Sequence, residues 1–357
     1  MNESIKAVHL AHTDGELSDV SAFGSGATAR AVTFHRSLPV YEPTPLADLK
    51  CLAAGLGLGR IAVKDESKRF GLNAFKGLGT SYSVARYLAQ YLDLPESEMT
   101  YETLQKPEYR ERLRGVTLVT ATDGNHGRGI AWAAKLFGLF AHVFMPKGSS
   151  PERLANIRGL GAEAAFTNYN YDDAVRYAAQ MAKEKGWVLI QDTAFEGYTE
   201  IPRWIMQGYT TLAHEAMEQY DDMPTHIFLQ AGVGSLPAAI TGYFAAHYGE
   251  KRPVITIVEP NRADCIYRTA AASDGERHIV TGEINSIMAG LSCGEPSPIA
   301  WEILKDYADH FVSVPEWVAA KGMRILGNPL DDDPRVVSGE SGAVTTGLVA
   351  ELMQNRS

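Results

Sequence analysis

Between residues 116 and 192 the chain repeats one rhythm: a short apolar run, a turn of small and polar residues, then a helical stretch. The apolar runs fall at 116–120, 141–145, 164–166 and 188–190, and the helical patterns at 127–137, 151–160 and 171–185. Strands alternating with helices at this spacing build a parallel sheet, because each helix must return the chain to the start of the next strand. That architecture also limits where a ligand can sit. The carboxyl ends of the strands feed helix N-termini, whose free amides attract anions.

A second set of such units follows. A long helix is predicted over 199–219 and a strand over 226–230. The turn Gly232-Val233-Gly234-Ser235 comes next, then a helix over 236–247 and a strand over 254–258 ending in Glu259-Pro260. Upstream, 60–65 reads as a strand and 73–91 as a helix with Asn73 as its cap. Residues 1–40 read as an irregular arm, 95–114 as a solvated insertion with one helix, and 261–300 as loops. A helix near 316–326 and the loop Ser338-Gly339-Glu340-Ser341-Gly342 precede a final helix. The fold class expected is α/β, with two open, twisted, mostly parallel sheets flanked by helices.

Composition narrows the function classes. A chain of 357 residues is long enough for two or three domains with large cores. Its 33 basic against 43 acidic side chains give a formal charge of −10, which argues against a nucleic-acid or anionic-membrane binder. No apolar stretch is long enough for a membrane span, and the first residues lack the pattern of a signal peptide, so a cytoplasmic place is expected. Cys51, Cys265 and Cys293 form neither a disulfide framework nor a zinc pattern, and no metal is expected.

Three segments lie where ligands would bind. Thr120-Ala121-Thr122-Asp123-Gly124-Asn125-His126-Gly127 joins a strand to a helix and combines donors, a carboxylate and glycines; the bland alternative is a capped turn. Gly232-Val233-Gly234-Ser235 lets amides converge at a helix start, as a phosphate requires. Position 237 is Pro, so the third glycine of a dinucleotide fingerprint is missing, and the Gly-Lys-Ser/Thr ending of a P-loop is absent too. Lys76, in Asn73-Ala74-Phe75-Lys76-Gly77, could form a Schiff base; the alternative is an ordinary helix lysine reaching to solvent.

Taken together, these segments resemble the fold-type II pyridoxal-phosphate enzymes, the tryptophan synthase β-like fold, and within them the diaminopropionate ammonia-lyases. The resemblance rests on Lys64-Asp65-Glu66-Ser67-Lys68-Arg69-Phe70-Gly71-Leu72-Asn73-Ala74-Phe75-Lys76 and on Ala121-Thr122-Asp123-Gly124-Asn125-His126-Gly127-Arg128-Gly129. Gln191-Asp192-Thr193, Gln230-Ala231-Gly232-Val233-Gly234-Ser235, Glu259-Pro260 and Gly339-Glu340-Ser341-Gly342-Ala343 complete it, in family order. The Asp after Thr122 separates this group from the otherwise similar serine and threonine dehydratases.

The resemblance implies roles residue by residue. Lys76 becomes the Schiff-base lysine, and Asn125 the partner of the cofactor's 3′ oxygen. Gly232, Val233, Gly234 and Ser235 become the phosphate site, and Glu340 or Ser341 would face the pyridine ring. Asp123 and Asp192 become the substrate-site acids, with Thr122, Gly124 and His126 in the loop that holds the α-carboxylate. The expected cofactor is pyridoxal 5′-phosphate. The expected enzyme is a carbon–nitrogen lyase of amino-acid catabolism, a homodimer that takes ammonia from D- and L-2,3-diaminopropionate to leave pyruvate and ammonia. No nucleic acid or membrane is expected as partner. Residues 1–85 with 196–357 would form a large cofactor-binding domain, and 86–195 a small substrate-side domain.

Members of the family continue past the position of Ser357 with a strand and a Ser/Thr-Glu-Gly loop that this sequence does not contain. The D and L substrates expose their α protons on opposite faces, so two bases are expected: Lys76 for L and Asp123 for D. Asp192 would then pair with the β-ammonium. A Cys265–Cys293 disulfide is a weaker expectation. Rival readings are a serine/threonine dehydratase-type lyase, a binding or regulatory protein on the same scaffold, and a nicotinamide-dependent dehydrogenase.

Overall fold

The computed structural model describes residues 4–11, 16–122, 124–282 and 284–355. The chain divides into two compact units, Met1–Val20 with Pro43–Lys68 and Leu212–Ser357, and Ser21–Glu42 with Arg69–Thr211. Both are discontinuous, and the divisions differ from the expected ones at 85/86 and 195/196. The helix Lys76–Tyr91 accounts for the shift of the 85/86 boundary, since Gly129 of the helix Asn125–Phe137 leaves room for its Thr80. The two helices therefore belong to one body, rather than meeting at a domain border.

The repeating rhythm forms the sheet of the second unit. Its strands lie in the order Glu163–Phe166, Phe140–Met145, Thr117–Ala121 and Val188–Leu189, all parallel. Thr117 pairs with Phe140 and Leu118 with Val188, which fixes the register. The helix Tyr171–Lys185 illustrates how local sequence sets its own ends. Asn170 caps it by accepting the Asp173 amide at 2.8 Å, acids occupy its first turn, lysines its last, and Gly186 closes it in the left-handed region. Its Ala174, Val175, Ala178 and Ala182 recur at helical spacing and pack on Val119, Ala121 and Leu189 of the sheet.

The first unit carries a second sheet in the order Lys6–His9, His310–Val314, Val254–Pro260 and His226–Gln230. The last three strands run parallel and the first is antiparallel at the edge. The predicted strand at 60–65 shortens to Ala62–Lys64, an antiparallel ribbon with Leu46–Asp48.

Several expectations need correction. The arm at 1–40 contains the helix Ser25–Ser37, whose Gly and Ser residues sit only at its two ends; Ala27, Thr28, Ala31, Val32, Phe34 and His35 form its buried face. Asn73 does not cap the next helix. It adopts a left-handed φ of 55°, and the helix begins at Lys76. The loop at 338–342 is already helical from Glu340, where Glu340–Gln354 begins. Two helices, Cys265–Ala272 and Pro298–Tyr307, interrupt the region expected to be loops.

The helices Glu316–Gly327 and Glu340–Gln354 cross with backbones almost in contact. A Cβ on Gly322 would strike the Ala343 carbonyl, and one on Gly347 the Val318 carbonyl. Neither obstacle is a flexible side-chain end, so the helices would have to separate. Gly347→Leu should cost about 3 kcal/mol in denaturant unfolding. Gly327→Ala, where nothing lies within 4 Å, should stay within about 0.5 kcal/mol of wild type.

Candidate active site

Lys76 opens its helix, in the turn where amides have no intrahelical acceptor. Its Nζ donates to Asp192 Oδ2 in a short ion pair. The lysine side chain is 22% exposed and the aspartate 3%, so the amine can meet a ligand while the carboxylate is sealed behind it. Tyr171 donates its hydroxyl to the other Asp192 oxygen at 3.2 Å. His126 Nδ1 lies 3.6 Å from Asp192 Oδ2, and His126 Nε2 donates to the Ile190 carbonyl at 2.8 Å.

Burial alone would raise the Asp192 carboxyl. The Lys76 ammonium and the hydrogen bonds from Lys76 and Tyr171 oppose burial and hold the carboxyl below the usual range, and a charge on His126 adds to this only when its imidazole is protonated. His126 goes the other way: burial pushes its imidazole down, against the pull of Asp192. The resting arrangement is therefore an ammonium, a carboxylate and a neutral imidazole.

The strand Val188–Leu189 ends before Asp192, and side chains continue its pairing. The Gln191 amide oxygen accepts from Ala121 N at 3.0 Å and Thr120 Oγ1 at 2.9 Å. Its amide nitrogen donates to the Ala121 carbonyl at 3.0 Å. On the other side the Tyr198 hydroxyl donates to the Leu189 carbonyl and accepts from Gln191 N, both at 2.9 Å. These bonds satisfy a buried backbone that the short strand leaves open, and they fix Asp192.

The Thr122–His126 loop is tied from within. Thr122 Oγ1 accepts the Gly124 and Gly127 amides at 3.0 and 3.2 Å, so this buried hydroxyl shapes the loop. Asn125, the first helical residue, is exposed and available to a ligand. Asp123 lies outside the described residues.

In the other unit, Gly234 has φ 102° and ψ −5° and precedes the helix Ser235–Tyr248. A Cβ on Gly232 would sit 3.3 Å from both Cys293 Sγ and the Gly290 carbonyl. One on Gly290 would meet Ser341 Oγ at 3.4 Å, so Ser341 and the glycine turn share a neighbourhood. Glu340 occupies the same first helical turn as Ser341. Cys265 and Cys293 are thiols rather than a disulfide, which corrects the weaker expectation; Cys265 points to Glu259 Oε1 at 3.8 Å.

The chain matches the family model described as "Pyridoxal-phosphate dependent enzyme" over residues 38–356. It belongs to that family. Over 329 residues, 91% of this chain and 81% of the relative, it is 54% identical to a diaminopropionate ammonia-lyase of Salmonella typhimurium (strain LT2). The crystal structure of selenomethionine-incorporated holo diaminopropionate ammonia lyase from Escherichia coli superposes with a TM-score of 0.91 at 46% identity, covering 99% of this chain and 88% of that one. A second structure of the Escherichia coli protein, in complex with an aminoacrylate-PLP azomethine reaction intermediate, gives 0.88 at 47% identity, covering 98% and 87%.

Pyridoxal phosphate is thus the cofactor of a catalytic chain, and the residues present fit it. The glycine turn at a helix start leaves little room for any Cβ, and Lys76 offers a partly exposed primary amine. Sequence reasoning missed Tyr171, Gln191, Tyr198 and Tyr209. Tyr209 is 1% exposed, and its hydroxyl has no hydrogen-bond partner. A buried Tyr has no local signature; only Gln191, beside Asp192 at a strand end, carried a readable hint. Among the described residues no helix is long and apolar enough to cross a membrane, and no cluster of His, Cys, Asp and Glu is arranged to hold a metal.

The depressed Asp192 carboxyl sets a pH dependence. The folded chain binds fewer protons than the unfolded one as pH falls through the ordinary carboxylate range, so the stabilisation is complete above it and fades below about pH 4. Asp192→Asn should lose about 3 kcal/mol at pH 7. Its deficit against wild type should shrink progressively in acid, measured by urea unfolding at stepped pH.

Proposed function

We propose that this chain removes ammonia from 2,3-diaminopropionate, leaving pyruvate and ammonia. The observation that carries the reading is the buried, ionised Asp192 beside the Lys76 amine. A second ammonium on the substrate suits that carboxylate; a β-hydroxyl does not compensate its charge. The similarity to diaminopropionate ammonia-lyases supports the same substrate.

In this reading Lys76 holds the cofactor through its amine, Gly232, Val233, Gly234 and Ser235 hold its phosphate, and Asn125 and Ser341 or Glu340 approach its ring. When bound, the cofactor supplies an electron sink for charge developing at the substrate's Cα. The Thr122–His126 loop, at the start of the helix Asn125–Phe137, holds the α-carboxylate. Lys76 takes the α proton of the L substrate and Asp123 that of the D substrate, since one base reaches only one face. Asp192 pairs with the β-ammonium, which departs as neutral ammonia. The reading includes a cytoplasmic homodimer with a small amino acid as partner, and neither nucleic acid nor membrane.

The purified protein loaded with pyridoxal phosphate should absorb near about 410–420 nm and form pyruvate from 2,3-diaminopropionate. Lys76→Ala should lose the band, and a retained band would remove Lys76 from its role. Asp123→Asn should reduce turnover of the D substrate by at least about a hundredfold while affecting the L substrate far less. Equal losses would remove the two-base argument, and faster turnover of serine than of diaminopropionate would favour the dehydratase reading.

A further inference from the structure

His126 is 1% exposed, and its two ring nitrogens have unequal surroundings. The Ile190 carbonyl can only accept, so Nε2 carries a hydrogen. In the neutral ring this leaves a lone pair on Nδ1, which has no hydrogen-bond partner among the described residues. That lone pair faces Asp192 Oδ2 at 3.6 Å, an acceptor opposite an acceptor. The gap is roughly half an ångström beyond hydrogen-bond reach. One additional proton between the two atoms would turn the mismatch into a hydrogen bond, whichever atom carried it. The only described hydrogen-bond chain that reaches Asp192 Oδ2 from a proton-bearing cation starts at Lys76 Nζ.

We propose that His126 is a positioning residue whose Nδ1 stabilises, through Asp192, the proton that Lys76 gives up when its ammonium becomes a free amine. In that step an N–H bond of Lys76 breaks with its electron pair staying on Nζ, and an O–H bond forms on Asp192. The new carboxyl hydrogen then points to His126 Nδ1. The charge of the group is unchanged, and no water need enter. The assignment rests on Lys76 as the cofactor's lysine but not on the identity of the substrate.

Among the described residues, the other groups around the pair do not supply the proton. Tyr198 and Tyr209, from the segment 198–209, are pushed up by burial and keep their hydrogens. Tyr171, from the helix Tyr171–Lys185, already donates to Asp192 Oδ1. Arg153 lies against Gly124, its Cδ 3.0 Å from where a Cβ would stand. Burial disfavours a resting imidazolium at His126, consistent with an empty proton site there.

His126→Gln tests this, because its amide can still donate to Ile190 but cannot hold a proton. The rate at which the full-length, cofactor-free protein gains the band at about 420 nm on adding pyridoxal phosphate should be followed from pH 6 to about 9. The acid limb of that profile should move up by about one unit, a tenfold slowing near pH 7, with the rates converging at high pH. An unmoved profile, or a uniform slowing at every pH, overturns the proposal. Nitrogen-15 NMR of the histidine rings covers a variant that does not fold. Wild-type protein should show an unprotonated Nδ1 at pH 7, and Lys76→Ala should raise the His126 titration by about one unit or more. A protonated Nδ1 in the wild type, or a titration indifferent to Lys76, overturns it as well. Neither readout uses diaminopropionate, so a failed pyruvate assay would count against the substrate reading alone.

Discussion

An ionised carboxylate sealed in a protein interior is costly unless its charge and lone pairs are matched. Asp192 meets that condition with the Lys76 ammonium on one oxygen and the Tyr171 hydroxyl on the other. Each of these partners is delivered by a different helix: Lys76 by the first turn of Lys76–Tyr91, Tyr171 by the first residue of Tyr171–Lys185. The carboxylate itself stands just beyond a strand only as long as Val188–Leu189. Side-chain bonds from Gln191 and Tyr198 make up for that shortness, so the rigidity of the site comes from amide and phenol groups rather than from a longer ladder.

Close backbone contacts hold the lysine's helix in place. A Cβ on Gly79 would come 2.8 Å from the Ile205 carbonyl, and one on Gly208 would come 2.7 Å from the Leu78 carbonyl. The segment around residue 208 therefore lies directly on the helix that begins with Lys76. On another side Gly129 admits Thr80, so the helix Asn125–Phe137 touches it as well. His35 ties a third element to the same place, donating from Nε2 to the Leu78 carbonyl at 3.0 Å with Thr211 Oγ1 2.7 Å from its Nδ1. An amine held by three packed neighbours keeps its position without using its own hydrogen bonds for the purpose, which leaves them for chemistry.

The sheet of the second unit was legible because alternation of apolar runs and helical stretches is a local signal, reinforced by the caps Ser150 and Asn170. Lys76, Asp192 and the glycine turn were legible for a different reason: chemistry confines such residues to strand ends and helix starts. The helix Ser25–Ser37 was hidden because the Gly and Ser residues at its start look like loop while its buried face mixes Ala, Thr and His with only two large apolar residues, Val32 and Phe34. Asn73 misled because a residue suited to capping is equally suited to a left-handed turn, and the turn won. Lys6–His9 could not be read at all, since an edge strand paired to residues about three hundred positions away carries no local period of its own. Tyr171, Tyr198 and Tyr209 escaped for the same reason as that strand, their meaning depending on partners distant in sequence.

The resting pair also carries an argument about selectivity. Asp192 is paired with a cation, Lys76, whose amine the proposed reading takes for chemistry. Once that amine is engaged elsewhere, the carboxylate loses its counter-charge, and a buried site tolerates this only if another cation or a proton arrives. A substrate bearing a β-ammonium replaces the missing charge directly. One bearing a β-hydroxyl offers a hydrogen bond but no charge, and it leaves the carboxylate to take up a proton or remain uncompensated. Sites built around a specific polar partner reject analogues lacking it far more strongly than apolar pockets reject a missing methylene. Discrimination against hydroxy amino acids would then come from the charge pairing that a β-hydroxyl cannot offer Asp192, rather than from a tighter fit to the preferred substrate.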